Sequence, residues 1–187
     1  MSNPPPTTET AIKAGSNLPA SPSNEVATFA SGCFWGTEHI FQKYYKTKGI
    51  KTAVGYTGGK AATPSYRTVC SGSTGHAESV RVEFDPSQVA YAELVEFFYR
   101  THDPTTLNSQ GADRGTQYRS AIFYHSPDQK AIAEAVTAEV QKKHIAGKTI
   151  VTEITEADQW WDAEDYHQEY LFKNPHGYQC PTHRLHW

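Results

Sequence analysis

Apolar residues change their period several times along this chain, and each change predicts an element. Val26-Ala27-Thr28-Phe29-Ala30 is short and apolar enough for a buried strand. Ile40, Phe41, Tyr44 and Tyr45 then recur at helical spacing, and Gly49 is placed to stop that helix. Ile50 to Tyr56 reads as a second strand ending in the Gly58-Gly59 turn, and Thr63 to Cys70 as a loop or short helix that brings Tyr66 near a strand edge. In Ala77 to Phe84 strict alternation puts Val80, Val82 and Phe84 on one face and Ser79, Arg81 and Glu83 on the other.

Tyr91, Leu94, Val95 and Phe98 repeat at i, i+3, i+4, i+7, the pattern of an amphipathic helix that His102-Asp103-Pro104 should end. A polar loop from Thr105 to Gln117 follows, then a strand from Tyr118 to Tyr124. Ser126, Pro127 and Gln129 form a helix start as cap, first residue and capping-box partner. Ile132, Val136 and Val140 give that helix a core face, with Gly147 closing it and a last strand through Ile150, Thr152 and Ile154. Trp160, Trp161, Tyr166, Tyr170 and Phe172 predict an aromatic-packed helix broken at Asn174-Pro175, and Gly177 to Pro181 reads as coil. Strands and helices roughly alternate, so the expected class is α/β or α+β: a single domain with one mixed central sheet, helices packed on it and a long coil C-terminal segment.

Parity in the 77–84 strand singles out one residue. Glu78 falls on the apolar face, so its carboxyl either looks into a pocket at the strand end or frays into water, and burial would keep it protonated. A second focus is Ser31-Gly32-Cys33-Phe34-Trp35-Gly36, where a thiol sits between two glycines at a predicted strand-to-helix junction. Orphan amides and the helix dipole there favour a thiolate, and Phe34 and Trp35 would wall an apolar pocket beside it.

Composition narrows the classes. The 187 residues carry a net charge of −3 and have a pI near 6.3, with no basic run, which argues against a nucleic-acid binder. No apolar stretch approaches the roughly 18 residues of a membrane span. Residues 1–24 are rich in Pro, Ser, Thr and Asn, predict a flexible tail and show neither a secretory h-region nor a basic presequence, so a cytoplasmic protein is expected, with the folded domain over 25–187. Three cysteines, Cys33, Cys70 and Cys180, are too few and too far apart for a disulfide framework.

Several chemistries fit a nucleophilic Cys33. A hydrolase or acyl transferase needs a histidine base, and His76, two residues before Glu78, is the nearest candidate. Cys180, His183 and His186, with His176 before them, could bind structural zinc, although their spacing matches no common pattern. A purely structural Cys33 beside an aromatic peptide groove is a further alternative. A redox reading uses more of the chain: a thiolate attacks a sulfoxide sulfur while a neutral acid, Glu78, protonates the oxygen, Tyr66 and Tyr118 add hydroxyls, and the rings of Phe34 and Trp35 suit a sulfur-bound methyl group. The resulting sulfenic acid would condense with a second thiol. Cys180, on a late loop, suits that role, while Cys70 after Val69 reads as a small buried residue.

The run Gly32-Cys33-Phe34-Trp35-Gly36 resembles the active-site signature of the A-type peptide-methionine sulfoxide reductases. The likeness extends through Gly58-Gly59, Pro64-Ser65-Tyr66, Val69-Cys70-Ser71-Gly72, Gly75-His76-Ala77-Glu78, His102-Asp103-Pro104-Thr105, Gln117-Tyr118-Arg119-Ser120 and Glu164-Asp165-Tyr166-His167-Gln168. The resemblance implies reduction of the S-epimer of methionine sulfoxide, free or within proteins, with no metal and no organic cofactor. It implies Cys33 as nucleophile, Glu78 as proton donor, Tyr66 and Tyr118 as partners of the sulfoxide oxygen, Phe34 and Trp35 as methyl pocket and Asp113 as a substrate-side polar residue. Some members carry two cysteines near the C-terminus. With Cys180 alone there, the resemblance implies a direct Cys33–Cys180 disulfide reduced by thioredoxin, and a small thiol or glutaredoxin if Cys180 cannot reach. Partners expected are thioredoxin and oxidised proteins, with no nucleic acid or membrane, and a monomer is expected.

Overall fold

The structure, a computed structural model, describes residues 24–187, so the expected N-terminal tail lies outside the described residues but for Asn24. Its centre is a six-stranded sheet in the order β7-β6-β1-β3-β2-β8, mixed as expected: β6 and β7 run parallel and every other neighbouring pair is antiparallel. The strands are β1 (Glu25–Ser31), β2 (Lys51–Thr57), β3 (Ala77–Phe84), β6 (Ser120–Tyr124), β7 (Glu153–Glu156) and β8 (Trp161–Asp162), with a separate hairpin of β4 (Ser109–Gln110) and β5 (Asp113–Arg114). The helices are α1 (Phe34–Tyr45), α2 (Tyr66–Cys70), α3 (Tyr91–Arg100), α4 (Pro127–Lys143) and α5 (Tyr170–Lys173).

The alternation in β3 sets the core. Val80, Val82 and Phe84 are fully buried and Arg81 is exposed. The same face meets α1 and α3 through stacked rings: Phe29 lies 5.4 Å from Phe41 and 5.1 Å from Phe98, and Phe41 meets Phe97 edge-on at 5.0 Å. Burying each such ring stabilises the fold by about 1.5–3 kcal/mol, which pins α1 and its first residues to the sheet.

The expected helix start at Ser126 is present, with Ser126 Oγ accepting from the Gln129 amide. The Gln129 side chain accepts from the His125 amide rather than closing the box on Ser126. The helix ends at Lys143, and Gly147 (φ 72°) lies in the turn beyond instead of at its end.

Three expectations shift. The 105–117 loop folds into the β4–β5 hairpin and a 3-10 turn over Thr116–Tyr118, so Tyr118 ends that turn and the strand begins at Ser120. The strand expected from Ile150 begins at Glu153 and is not the last. The aromatic stretch from Trp160 is not one helix: β8 pairs with β2 (Tyr56 opposite Trp161), a 3-10 turn spans Asp165–His167, and α5 is one turn long. The free edge of β2 explains this, because its backbone groups need partners, and Gly55, lacking a Cβ, lets the Trp160 indole lie directly on it. No helix among the described residues is long and apolar enough to cross a membrane.

Candidate active site

Cys33 caps the N-terminus of α1. Gly32 (φ 94°) turns the chain out of β1, and the Cys33 carbonyl accepts from the Thr37 amide (3.4 Å) and hydroxyl (3.3 Å). The next free amide, that of Phe34, donates 3.1 Å to Glu78 Oε2. A helix start beside a strand end therefore brings thiol and carboxyl into one small volume, 45 residues apart in sequence.

Glu78 is 1% exposed. Burial pushes its carboxyl up to about 8, against the pull of the Phe34 amide and with a further push from the charge of Asp113. At neutral pH the carboxyl is therefore protonated, as expected of the buried one of the two alternatives that strand parity left open. The Cys33 thiol departs from expectation. Burial drives it well above the ordinary cysteine range, with a further push from Glu78 once that carboxyl ionises, and the amides of Trp35 and Gly36 only partly oppose them. The helix start favours a thiolate, but in this half-buried, apolar setting desolvation wins, and the resting thiol stays protonated.

Tyr66 opens α2, and Tyr118 ends the 3-10 turn before β6. Burial is the largest upward push on both phenols. Glu78, Cys70 and Cys33 push each of them further, which places the two hydroxyls in one neighbourhood with the thiol and the acid as uncharged donors. Phe34 is buried (1% exposed), its ring 5.7 Å from Tyr56 and 5.0 Å from His167. Trp35 is half-buried, stacked on Tyr170 at 3.7 Å. Asp113, in the hairpin, accepts from the Tyr178 hydroxyl at 3.0 Å.

His167, which no sequence pattern marks on its own, organises one wall. Fully buried, it packs on Phe34, Trp35, Tyr66 and Tyr166, and its Nδ1 accepts from the Trp35 indole at 2.9 Å. Since Nδ1 accepts, it carries no proton, and burial holds the ring's basicity down. Glu164 accepts from the Tyr56 hydroxyl (3.2 Å) and the Tyr66 amide (3.3 Å), fixing the start of α2. The available signal was the Glu164-to-Gln168 block itself, a carboxylate and a histidine among aromatics.

A further cysteine expectation is corrected. Cys70 is exposed, not buried. On the short α2 Val69 turns inward and is fully buried, and one step of helix carries Cys70 to the surface, near the Tyr66 hydroxyl. Cys180 lies on coil as expected but is 1% exposed, its Sγ 3.7 Å from the Gln110 carbonyl and 3.2 Å from the Thr182 hydroxyl. All three thiols are free.

The competing chemistries lose their residues. His76 Nδ1 accepts from the Gly59 amide (3.0 Å) and its Nε2 meets the Ala61 carbonyl (2.7 Å), leaving no nitrogen to serve Cys33 as base. His183 Nε2 meets the Ser31 carbonyl, His186 Nε2 the Thr182 carbonyl, and among the described residues no group of three or more His, Cys, Asp or Glu could hold a metal.

A family model described as peptide methionine sulfoxide reductase matches residues 25–185. The chain belongs to that family. A probable peptide methionine sulfoxide reductase of Schizosaccharomyces pombe is 53% identical over 165 residues, covering 87% of this chain and 97% of its own. The peptide methionine sulfoxide reductase MsrA of Methanosarcina acetivorans is 52% identical over 150 residues, covering 80% and 78%. Mxr1 of Saccharomyces cerevisiae in reduced form superposes with a TM-score of 0.83 at 45% identity, covering 90% of this chain and 96% of that one. The same yeast protein in complex with Trx2 matches with a TM-score of 0.61 at 32% identity, covering 90% and 95%.

This methionine sulfoxide reductase also gives Gly36 a physical reason. A Cβ there would overlap the buried imidazole of His183, which is held by Ser31. Alanine is the better helix former by about 1 kcal/mol, yet overpacking at a site that cannot yield costs about 1–3 kcal/mol. Gly36→Ala is therefore expected to lower the urea midpoint of unfolding, and a raised midpoint would show that His183 yields freely.

Proposed function

We propose that this chain reduces the S-epimer of methionine sulfoxide, free or in proteins, by a cycle in which Cys33 becomes a sulfenic acid, Cys180 resolves it as a disulfide, and thioredoxin restores both thiols. The observation that carries the reading is the buried Glu78 carboxyl bonded to the Phe34 amide at the helix start that bears Cys33. Glu78 gives its proton to the sulfoxide oxygen while Tyr66 and Tyr118 donate hydrogen bonds to it. The Cys33 sulfur attacks the sulfoxide sulfur, and the Glu78 carboxylate takes the thiol proton. The oxygen passes to Cys33 as the substrate's sulfur–oxygen bond and the new sulfur–sulfur bond both break, so methionine leaves two electrons richer and Cys33 loses two, the oxygen keeping its proton as the sulfenic acid. The closed proton exchange accounts for a resting thiol that is protonated beside a protonated acid. Phe34 and Trp35 take the methyl group, and Asp113 faces the substrate side.

The Cys180 thiol then attacks the sulfenic sulfur; the sulfur–oxygen bond breaks and water leaves. Support for thioredoxin as reductant is the yeast relative's complex with Trx2. The protein is proposed to act as a monomer with neither metal nor organic cofactor, in the reducing cytoplasm, where Cys33 and Cys180 can be returned to thiols after each cycle.

The test is to mix reduced protein with one excess of methionine (S)-sulfoxide without reductant, then count thiols and map peptides. Methionine in equal amount to enzyme, loss of two thiols and a Cys33–Cys180 linked peptide are expected. Methionine with Cys33 alone oxidised removes Cys180 as resolver and leaves a small thiol or glutaredoxin in that role. No methionine and three intact thiols overturn the reading. Cys180→Ser is expected to retain the first turnover and turnover with dithiothreitol but to lose thioredoxin-driven turnover; full activity with thioredoxin would contradict the disulfide.

A further inference from the structure

Cys180 lies on a coil that is fastened unequally on its two sides. Before it, Tyr178 and Gln179 are exposed and the tie to the rest of the fold is the Tyr178 hydroxyl on Asp113 at 3.0 Å. After it, the chain is clamped. The His183 imidazole, 5% exposed, is bonded through Nε2 to the Ser31 carbonyl at 2.7 Å and fills the space that Gly36 leaves open. The His183 amide donates back to the Cys180 carbonyl (3.0 Å), the His186 amide donates to the Arg100 carbonyl (2.8 Å), and Trp187 stacks on His144 at 4.2 Å.

The clamp is attached to the catalytic turn itself, since Ser31 stands two residues before Cys33. Between thiol and clamp lie only Pro181 and Thr182. A chain extends at most about 3.3–3.6 Å per residue, so the Cα of a Cys180 that pivots about His183 stays within about 10–11 Å of the His183 Cα. The sulfur's own hold is weak by comparison: a 3.7 Å contact to the Gln110 carbonyl, with Gly111 against it, and a 3.2 Å contact to the Thr182 hydroxyl, which lies on the clamped side and can move with it. Moving Cys180 toward Cys33 thus breaks the exposed Tyr178 tie and the thiol's loose contacts while the His183 tie is kept.

We propose that His183 is a positioning residue for the resolving step: by fixing the chain three residues after Cys180 to the backbone of the Cys33 turn, it holds the Cys180 thiol at high effective concentration toward the Cys33 sulfenic acid. The inference rests on Cys180 as resolver. The bonds of His183 are to the Ser31 and Cys180 carbonyls rather than to either sulfur, and its effect is confined to the second chemical step, in which Cys180 sulfur bonds to Cys33 sulfur, the sulfenic oxygen departs and water forms.

The experiment is rapid quenching after one equivalent of methionine (S)-sulfoxide meets reduced wild type, H183A, H183Q and Y178F, following methionine and the Cys33–Cys180 peptide separately and trapping sulfenic acid with dimedone. H183A should form methionine within about twofold of the wild-type rate. Its disulfide should appear about tenfold or more slowly as effective concentration falls, with trapped Cys33 sulfenic acid. H183Q, whose amide nitrogen can take the place of Nε2, should restore the disulfide rate, and Y178F should match or exceed wild type. Turnover with dithiothreitol should be unchanged in H183A while thioredoxin-driven turnover drops. If H183A does not fold, H183N, too short to reach Ser31, carries the same expectation. Wild-type disulfide rates in H183A or H183N, an equal slowing of both steps, or a slowing in Y178F like that in H183A would each overturn the inference. A wild-type protein that makes methionine but no Cys33–Cys180 peptide overturns the resolver role, and this inference with it.

Discussion

Cys33→Ser is expected to form no methionine, with thioredoxin or with dithiothreitol, while folding normally. The reaction moves an oxygen atom onto sulfur, and a serine hydroxyl would have to form an oxygen–oxygen bond in its place. Nothing in the turn depends on sulfur: the Cys33 carbonyl takes the Thr37 bonds, the Phe34 amide serves Glu78, and the conformation is set by Gly32. The variant should therefore unfold near the wild-type midpoint, so that loss of activity cannot be ascribed to loss of structure. Cys70→Ser and Cys180→Ser should each retain the first turnover, which assigns the oxygen transfer to one thiol. Methionine formation by the serine variant under dithiothreitol, at a rate above the reagent's own, would overturn Cys33 as nucleophile.

The parts of this site legible in sequence are those fixed by local geometry. Strand parity in β3 alone put Glu78 on the buried face, because a two-residue period leaves no third choice. The glycine-flanked thiol between an apolar strand and a helical run gave the position of Cys33. What the sequence hid depends on contacts from far along the chain. Whether Cys33 is a thiolate is decided by desolvation and by Glu78, 45 residues on, and not by the helix start. Cys180 could be seen to lie on coil, but the hairpin that covers its thiol, Gln110-Gly111, sits some 70 residues earlier. The aromatic stretch after Trp160 is helical in composition alone; the free edge of β2 draws it into β8, and His167 is thereby delivered to Trp35. Cys70 shows the limit of neighbour-based reading, since one helical step separates a buried Val69 from an exposed thiol.

Glu78→Gln should lower the rate of the first methionine-forming step by about 10²–10⁴, the range expected when a positioned general acid is removed. The amide preserves the shape and an oxygen to accept from Phe34, but it cannot give a proton to the sulfoxide oxygen or take one from Cys33. The wild-type rate should fall as pH rises through about 8, where Glu78 ionises, and the residual rate of the variant should lack that fall. Stability should move the other way. A carboxyl whose folded value is raised binds its proton more tightly in the native state, so wild-type stability is lost progressively from the ordinary glutamate range up to about 8. The Gln variant, with nothing to ionise, should therefore gain stability relative to wild type across that window, read as a widening gap in urea midpoints between pH 5 and 8. A variant that is slow yet keeps the wild-type pH fall would assign that ionisation to another group and remove Glu78 as the acid. A gap that stays constant with pH would mean that the carboxyl is not held neutral by burial, and the proton exchange with Cys33 would lose its physical basis.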